Sequence, residues 1–110
     1  MTTPPTLPCY LLAQIDIKDY ADYLERYART VVAQIEASGG EVLAADPAAE
    51  LLEGSWSGNW TVVIRFPDAD SARAWYGSVD YEPLKRLRID ELTRSSNAVF
   101  VGGFDKSVLR

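Results

Sequence analysis

Apolar positions along the chain fall into short extended runs and one long helical stripe. Cys9 to Ile17 (Cys-Tyr-Leu-Leu-Ala-Gln-Ile-Asp-Ile) is a short apolar run that predicts a first strand. Asp19 then suits an N-cap, and Tyr20, Leu24, Tyr27, Val31 and Ile35 recur at three- and four-residue steps on one helical face. Asp22, Glu25, Arg26, Arg29 and Glu36 mark its solvated side, and Ser38-Gly39-Gly40 ends it. Glu41 to Ala45 resumes extended structure, Asp46-Pro47 breaks it, and a short continuation over Ala48–Glu53 precedes the polar connection Gly54–Asn59. Trp60 to Phe66, rich in β-branched and aromatic residues, is the strongest strand, and Pro67 ends it. Asp68 caps a short helix that buries Ala72, Trp75 and Tyr76 and is interrupted at Gly77-Ser78. A further helical piece runs from about Asp80 to near Leu92, with Pro83 tolerated only in its first turn. Asn97 to Phe104 makes the last strand.

The order is βαβ twice over, which predicts an α+β fold of ferredoxin-like βαββαβ type, one antiparallel sheet with helices on one face. Residues 9–104 form a single domain on this reading. The proline-rich residues 1–8 precede it as a mobile arm, and 105–110 follow as a surface tail. Such a sheet should be apolar on its helix side and polar on the other. Here Val63, Leu12 and the Val99/Val101 pair stand opposite already apolar registers, so the second face also needs cover. A second copy of the chain, packed sheet face to sheet face, is the expected partner.

Composition narrows the functions. The 110 residues carry 16 acidic and 11 basic side chains, a net charge of −5, which argues against nucleic-acid and anionic-membrane partners. There is no histidine, so imidazole bases, Ser-His-Asp sites and histidine metal sites are excluded. The single cysteine, Cys9, allows no intramolecular disulfide and has no basic neighbour in sequence to activate it. No metal site is expected. The amino end lacks the charged and apolar regions of a signal peptide, and no apolar stretch approaches the length of about 20 residues that spans a bilayer, so a cytoplasmic location is expected.

Several motifs together resemble a known family. Gly39-Gly40, Glu53-Gly54-x-Trp56, Val63-x-x-Phe66-Pro67 and Ala72-x-Ala74-Trp75-Tyr76-x-Ser78-x-x-Tyr81-x-x-Leu84-x-x-Leu87-Arg88 are similar to the domain of unknown function family 1330 (DUF1330), within the dimeric α+β barrel superfamily. The resemblance runs from about Tyr10 to Gly103. It implies a ferredoxin-like protomer whose sheet packs against that of a second copy, and it implies no settled activity. Val79 stands where the family pattern leads one to expect a helix-starting proline, and Pro83 lies further in, which shifts the start of the last helix.

Arg88 is the most informative charged residue, because Tyr81, Leu84 and Arg88 share the helical face that must look toward the sheet. Two readings stand: a structural role, as a salt bridge with Glu53 as partner or by snorkelling at the helix edge, or a guanidinium fork for an anionic ligand. Glu53, at the mouth of a loop, is either that partner or a general base. Trp75 and Tyr76 are core residues or, for Tyr76, a hydroxyl that orients or protonates a substrate oxygen. Tyr81 divides evenly between core and ligand contact, and Trp56 between a pocket lid and a dimer contact. Lys85 and Arg86 are expected to be solvated.

Two functions from different classes follow. One is a small enzyme of isomerase, lyase or oxygenase type, needing no metal or organic cofactor and acting on a small oxygenated or aromatic molecule. Its catalytic residues would be Glu53, Tyr76 and Arg88, with Trp56, Trp75, Tyr81 and Arg88 binding the substrate. The other is a non-catalytic dimeric module that binds a metabolite or provides an assembly surface. Fold analogy does not separate them.

Overall fold

A computed structural model describes residues 6–110. Strand β1 (Cys9–Ile17) leads into helix α1, which runs as Tyr20–Tyr23, a wide π-helical turn over Leu24–Ala28, and Arg29–Ala37. Strands β2 (Glu41–Asp46) and β3 (Trp60–Phe66) follow, then helix α2 (Ala69–Tyr76). Helix α3 (Glu82–Leu87) continues through a second π-helical turn, Arg88–Leu92, directly into strand β4 (Thr93–Gly102). The four strands form one sheet in the order β2-β3-β1-β4, with every pairing antiparallel. This is the ferredoxin-like α+β arrangement that the sequence predicts.

Local chemistry places the boundaries. Asp19 caps α1 by accepting from the Asp22 amide at 3.0 Å, and Asp68 caps α2 by accepting from the Ser71 amide at 2.7 Å. Gly40 cannot be larger, since a Cβ there would sit 2.8 Å from Ile35 Cγ2. Three boundaries differ from expectation. Residues 47–59 carry no regular structure, because β2 ends at Asp46 and the stretch has neither helical nor strand periodicity. The last strand starts at Thr93, four residues before Asn97, since the polar run 93–96 pairs with Ile15, Asp16 and Ile17 of β1, and it ends at Gly102 rather than Phe104, where pairing with β1 runs out at Cys9. Lys106–Leu109 forms a single 3₁₀ turn, capped by Asp105. Of the arm expected over 1–8, the first five residues lie outside the described part. Pro8 is tied down by the Gly103 amide, which donates to its carbonyl at 2.8 Å.

The core fills the space between sheet and helices. Leu11, Ala13 and Ile15 of β1 and Trp60, Ile64 and Phe66 of β3 meet Tyr23, Tyr27, Val31 and Ile35 of α1 and Ala72 and Trp75 of α2. Tyr23 rather than Leu24 is buried, and the π turn accounts for it. Each four-residue step along an α-helix overshoots a full turn by about 40°, so a stripe at 23, 27, 31 and 35 would drift off the core; a wider turn takes up part of that drift. The Cα extents are 52 × 38 × 17 Å, the thickness of a sheet with one helical layer. The opposite sheet face carries Tyr10, Leu12, Val63, Val99 and Val101 among Gln14, Thr61, Arg65 and Asn97. Leu12 is 39% exposed and Val99 56%. No helix among the described residues is long and apolar enough to cross a membrane.

Candidate functional site

Arg88 is the only buried charged side chain among the described residues, at 5% exposure. The π turn at Arg88–Leu92 aims it inward, and Thr93 fixes that turn by donating its hydroxyl to the Arg88 carbonyl at 2.7 Å. The guanidinium Nη1 donates to Ser96 Oγ at 2.7 Å, and its Cζ lies 6.0 Å from the centre of the Tyr27 ring. Among the described residues no carboxylate lies within ion-pair distance of it. Burial pulls the Arg88 pKa down, but the hydroxyl-bearing rings of Tyr27, Tyr81 and Tyr76 raise it by more, and the net shift is upward. It is a fixed cation.

Three phenols complete the polar end. The Tyr27 and Tyr81 hydroxyls share a hydrogen bond of 2.6 Å, so one donates and the other keeps a free hydrogen. Tyr23 stacks beside Tyr27 at 5.0 Å between ring centres. Burial raises the pKa of both Tyr23 and Tyr27, so both stay neutral. Trp75 lies against Tyr81 at 4.3 Å and against Phe66 at 5.6 Å, and its indole N–H is buried without a partner. These groups line one half-open cavity of about 90 Å³ between the helices and the sheet. Its remaining wall is apolar, from Leu11 and Ile15 to Val32, Val42, Ala45 and Val62.

The structure thus brings together Arg88, Tyr81 and Trp75 from the sequence-derived candidates and leaves the others apart. Glu53 is exposed in the 47–59 loop beside Leu51, Leu52 and Trp56, so the expected Glu53–Arg88 pair does not form. Tyr76 lies outside the cavity: its ring packs on Tyr81 at 5.5 Å and edge-on against Phe100 at 5.9 Å. Lys85 is not solvated as expected, because its ammonium covers the Tyr76 ring at 4.6 Å while bonding Glu82 at 3.1 Å. Trp56 sits on the helix-free sheet face, its indole N–H donating to Thr61 Oγ1 at 2.9 Å, which makes it a wall of that face rather than a lid on the cavity. Tyr23 and Ser96 are the residues that sequence reasoning missed. The four-residue spacing of Tyr23 and Tyr27 is the available signal for the first, and Ser96 lies between the expected helix and the expected last strand, in a stretch assigned to neither. Among the described residues no three carboxylate or thiol side chains gather as metal ligands.

Residues 8–104 match the domain of unknown function family DUF1330. The chain belongs to that family. Comparison of this DUF1330 chain with curated proteins gives no match. Among solved structures it is similar to a protein of unknown function from Rhodopseudomonas palustris, at 15% identity and a TM-score of 0.71, over 90% of this chain and 84% of that one. A dimeric ferredoxin-like protein of unknown function from Thermobifida fusca aligns at 18% identity and a TM-score of 0.57, over 88% and 92% of the two chains. An uncharacterised NIPSNAP-like domain protein from Burkholderia xenovorans aligns at 10% identity and a TM-score of 0.58, over 89% and 85%. At these identities the likeness establishes the fold.

Proposed function

We propose that this DUF1330 protein is a homodimeric small-molecule-binding protein whose helix–sheet cavity takes a small oxygenated organic anion or polarised carbonyl at Arg88. The observation that carries the reading is a buried guanidinium without a carboxylate. A charge removed from water and left unpaired costs several kcal/mol, and a bound anion offsets that cost. Arg88 anchors the ligand, the free hydrogen of the Tyr27–Tyr81 pair orients its oxygen, and Trp75 supplies an aromatic wall. The half-exposed apolar strip on the other sheet face supports the dimer, with Trp56 beside it, and the similar Thermobifida fusca protein is dimeric.

Run as an enzyme of isomerase, lyase or oxygenase type, the site would work by electrophilic stabilisation. Arg88 and a tyrosine hydroxyl would hold an enolate-like oxygen in a region where such donors act strongly. A specific observation favours the non-catalytic alternative: the titratable side chains lining the cavity are three tyrosines and an arginine, with no carboxylate to serve as base. The test is a metabolite library screened by thermal shift on wild type and Arg88→Met. A ligand at about a hundred times its Kd stabilises the fold by about 2.7 kcal/mol. Arg88→Met should lose that shift while keeping the dimer, and Arg88→Lys should recover part of it because the fork is gone. Unchanged affinity in Arg88→Met for a ligand located in this cavity refutes the proposal.

A further inference from the structure

Resting on the binding reading above, we infer that the ligand is a small monocarboxylate with a short apolar chain, its carboxylate on Arg88 and its chain directed toward the seam between α1 and β2. The cavity has a polar end and an apolar end. Arg88 and the hydroxyls of Tyr23, Tyr27 and Tyr81 form the polar end, and all of these residues are buried. The lining residues that are partly or fully exposed are Ala28, Val32, Val42, Ala45, Val62 and, on β4, Ala98. Five of these six belong to α1, β2 or β3, so the cavity opens chiefly along that seam, and every side chain there is aliphatic.

Charge sets the head group. Arg88 is the one cation lining the cavity, and Lys85 is occupied by Glu82 outside it. One carboxylate therefore matches, whereas a second negative charge would lie unpaired against valine and alanine. A neutral amide would leave the guanidinium without its counter-charge. Volume sets the chain. A dry cavity of about 150 Å³ accepts benzene, with its six carbons, so about 90 Å³ encloses roughly four heavy atoms. A carboxylate with one or two further carbons fills the closed part, and a longer chain emerges through the seam.

The experiment titrates the wild-type protein calorimetrically with acetate, butyrate, hexanoate, succinate, butyramide and 4-nitrophenolate, with Arg88→Met, Arg88→Lys and Val32→Phe alongside. Affinity should rise by about fourfold per methylene from acetate to butyrate and less steeply beyond. Succinate and butyramide should bind about tenfold or more weakly than butyrate. Arg88→Met should lose the monocarboxylates and Arg88→Lys should keep part of the affinity, while Val32→Phe should cost hexanoate more than acetate. Should Arg88→Met fail to fold, the Arg88→Lys loss and the Val32→Phe split decide the matter. Butyramide or succinate binding as well as butyrate overturns the inference. So does Arg88-dependent binding of 4-nitrophenolate without butyrate, which leaves the cavity reading intact. Absence of any Arg88-dependent binding takes both down.

Discussion

Arg88 is accommodated by a serine hydroxyl and aromatic rings, and the phenols around it depend on one another. The 2.6 Å bond between the Tyr27 and Tyr81 hydroxyls joins two buried side chains, and truncating either one leaves the other hydroxyl without its protein partner. Tyr27→Phe or Tyr81→Phe alone should therefore cost about 1–3 kcal/mol, while the double change to Phe should cost much less than the sum, because no orphan remains. Urea unfolding of the three variants measures this, and strict additivity would contradict the pairing. At this scale the sequence was partly legible. The spacing of Tyr81 and Arg88 placed both on the inner face correctly. The periodicity puts Leu24 on the inner face and does not single out Tyr23, because a uniform 3.6-residue period does not contain the π turn. Glu53 had no readable place, since position within an aperiodic loop depends on contacts distant in sequence.

Elements are joined by a few polar locks as much as by the apolar core. Asn59 closes the end of β1: its side chain accepts from the Ile17 amide at 2.8 Å and donates to the Ile17 carbonyl at 2.9 Å, while its own amide donates to the Ile15 carbonyl at 2.9 Å. Gly58 makes the approach possible. It has φ +86°, and a Cβ there would fall 2.5 Å from the Ile15 carbonyl oxygen, a backbone atom that cannot swing away. Gly54 shares the left-handed conformation, with φ +76°, but a Cβ there meets open space. Gly58→Ala should consequently cost about 2 kcal/mol or more and Gly54→Ala only about 1 kcal/mol. Thermal unfolding of the two variants separates the clash from the conformational penalty, and equal losses would rule the clash out. β1 and β3 were read from sequence to the residue because both are buried, β-rich runs. The start of β4 was missed because Thr93 to Ser96 have no apolar alternation and owe their extended form to pairing with β1.

At the scale of the molecule, the two-faced apolarity of the strands was the most informative sequence signal, and the structure shows one face covered and the other open. Changing Val63, at the centre of the open face, to Asp should dissociate the proposed dimer, since the charge would be buried against a second sheet. Sedimentation at micromolar concentration should give twice 12.2 kDa for wild type and a lighter species for Val63→Asp. A wild-type monomer at that concentration would sink the assembly. The bond from the Gly103 amide to the Pro8 carbonyl has a different consequence, for the connectivity of the fold. It sets the two ends of the domain side by side where the start of β1 meets the end of β4, while the irregular 47–59 loop lies between β2 and β3. A chain opened in that loop and rejoined across 8 and 103 by a short linker keeps every strand pairing and the Arg88 cavity, with β3 leading and β2 trailing. The order in which the strands are synthesised is thus separable from the architecture they build, and circular permutation is open to this fold in a loop that supplies no residue to the cavity lining.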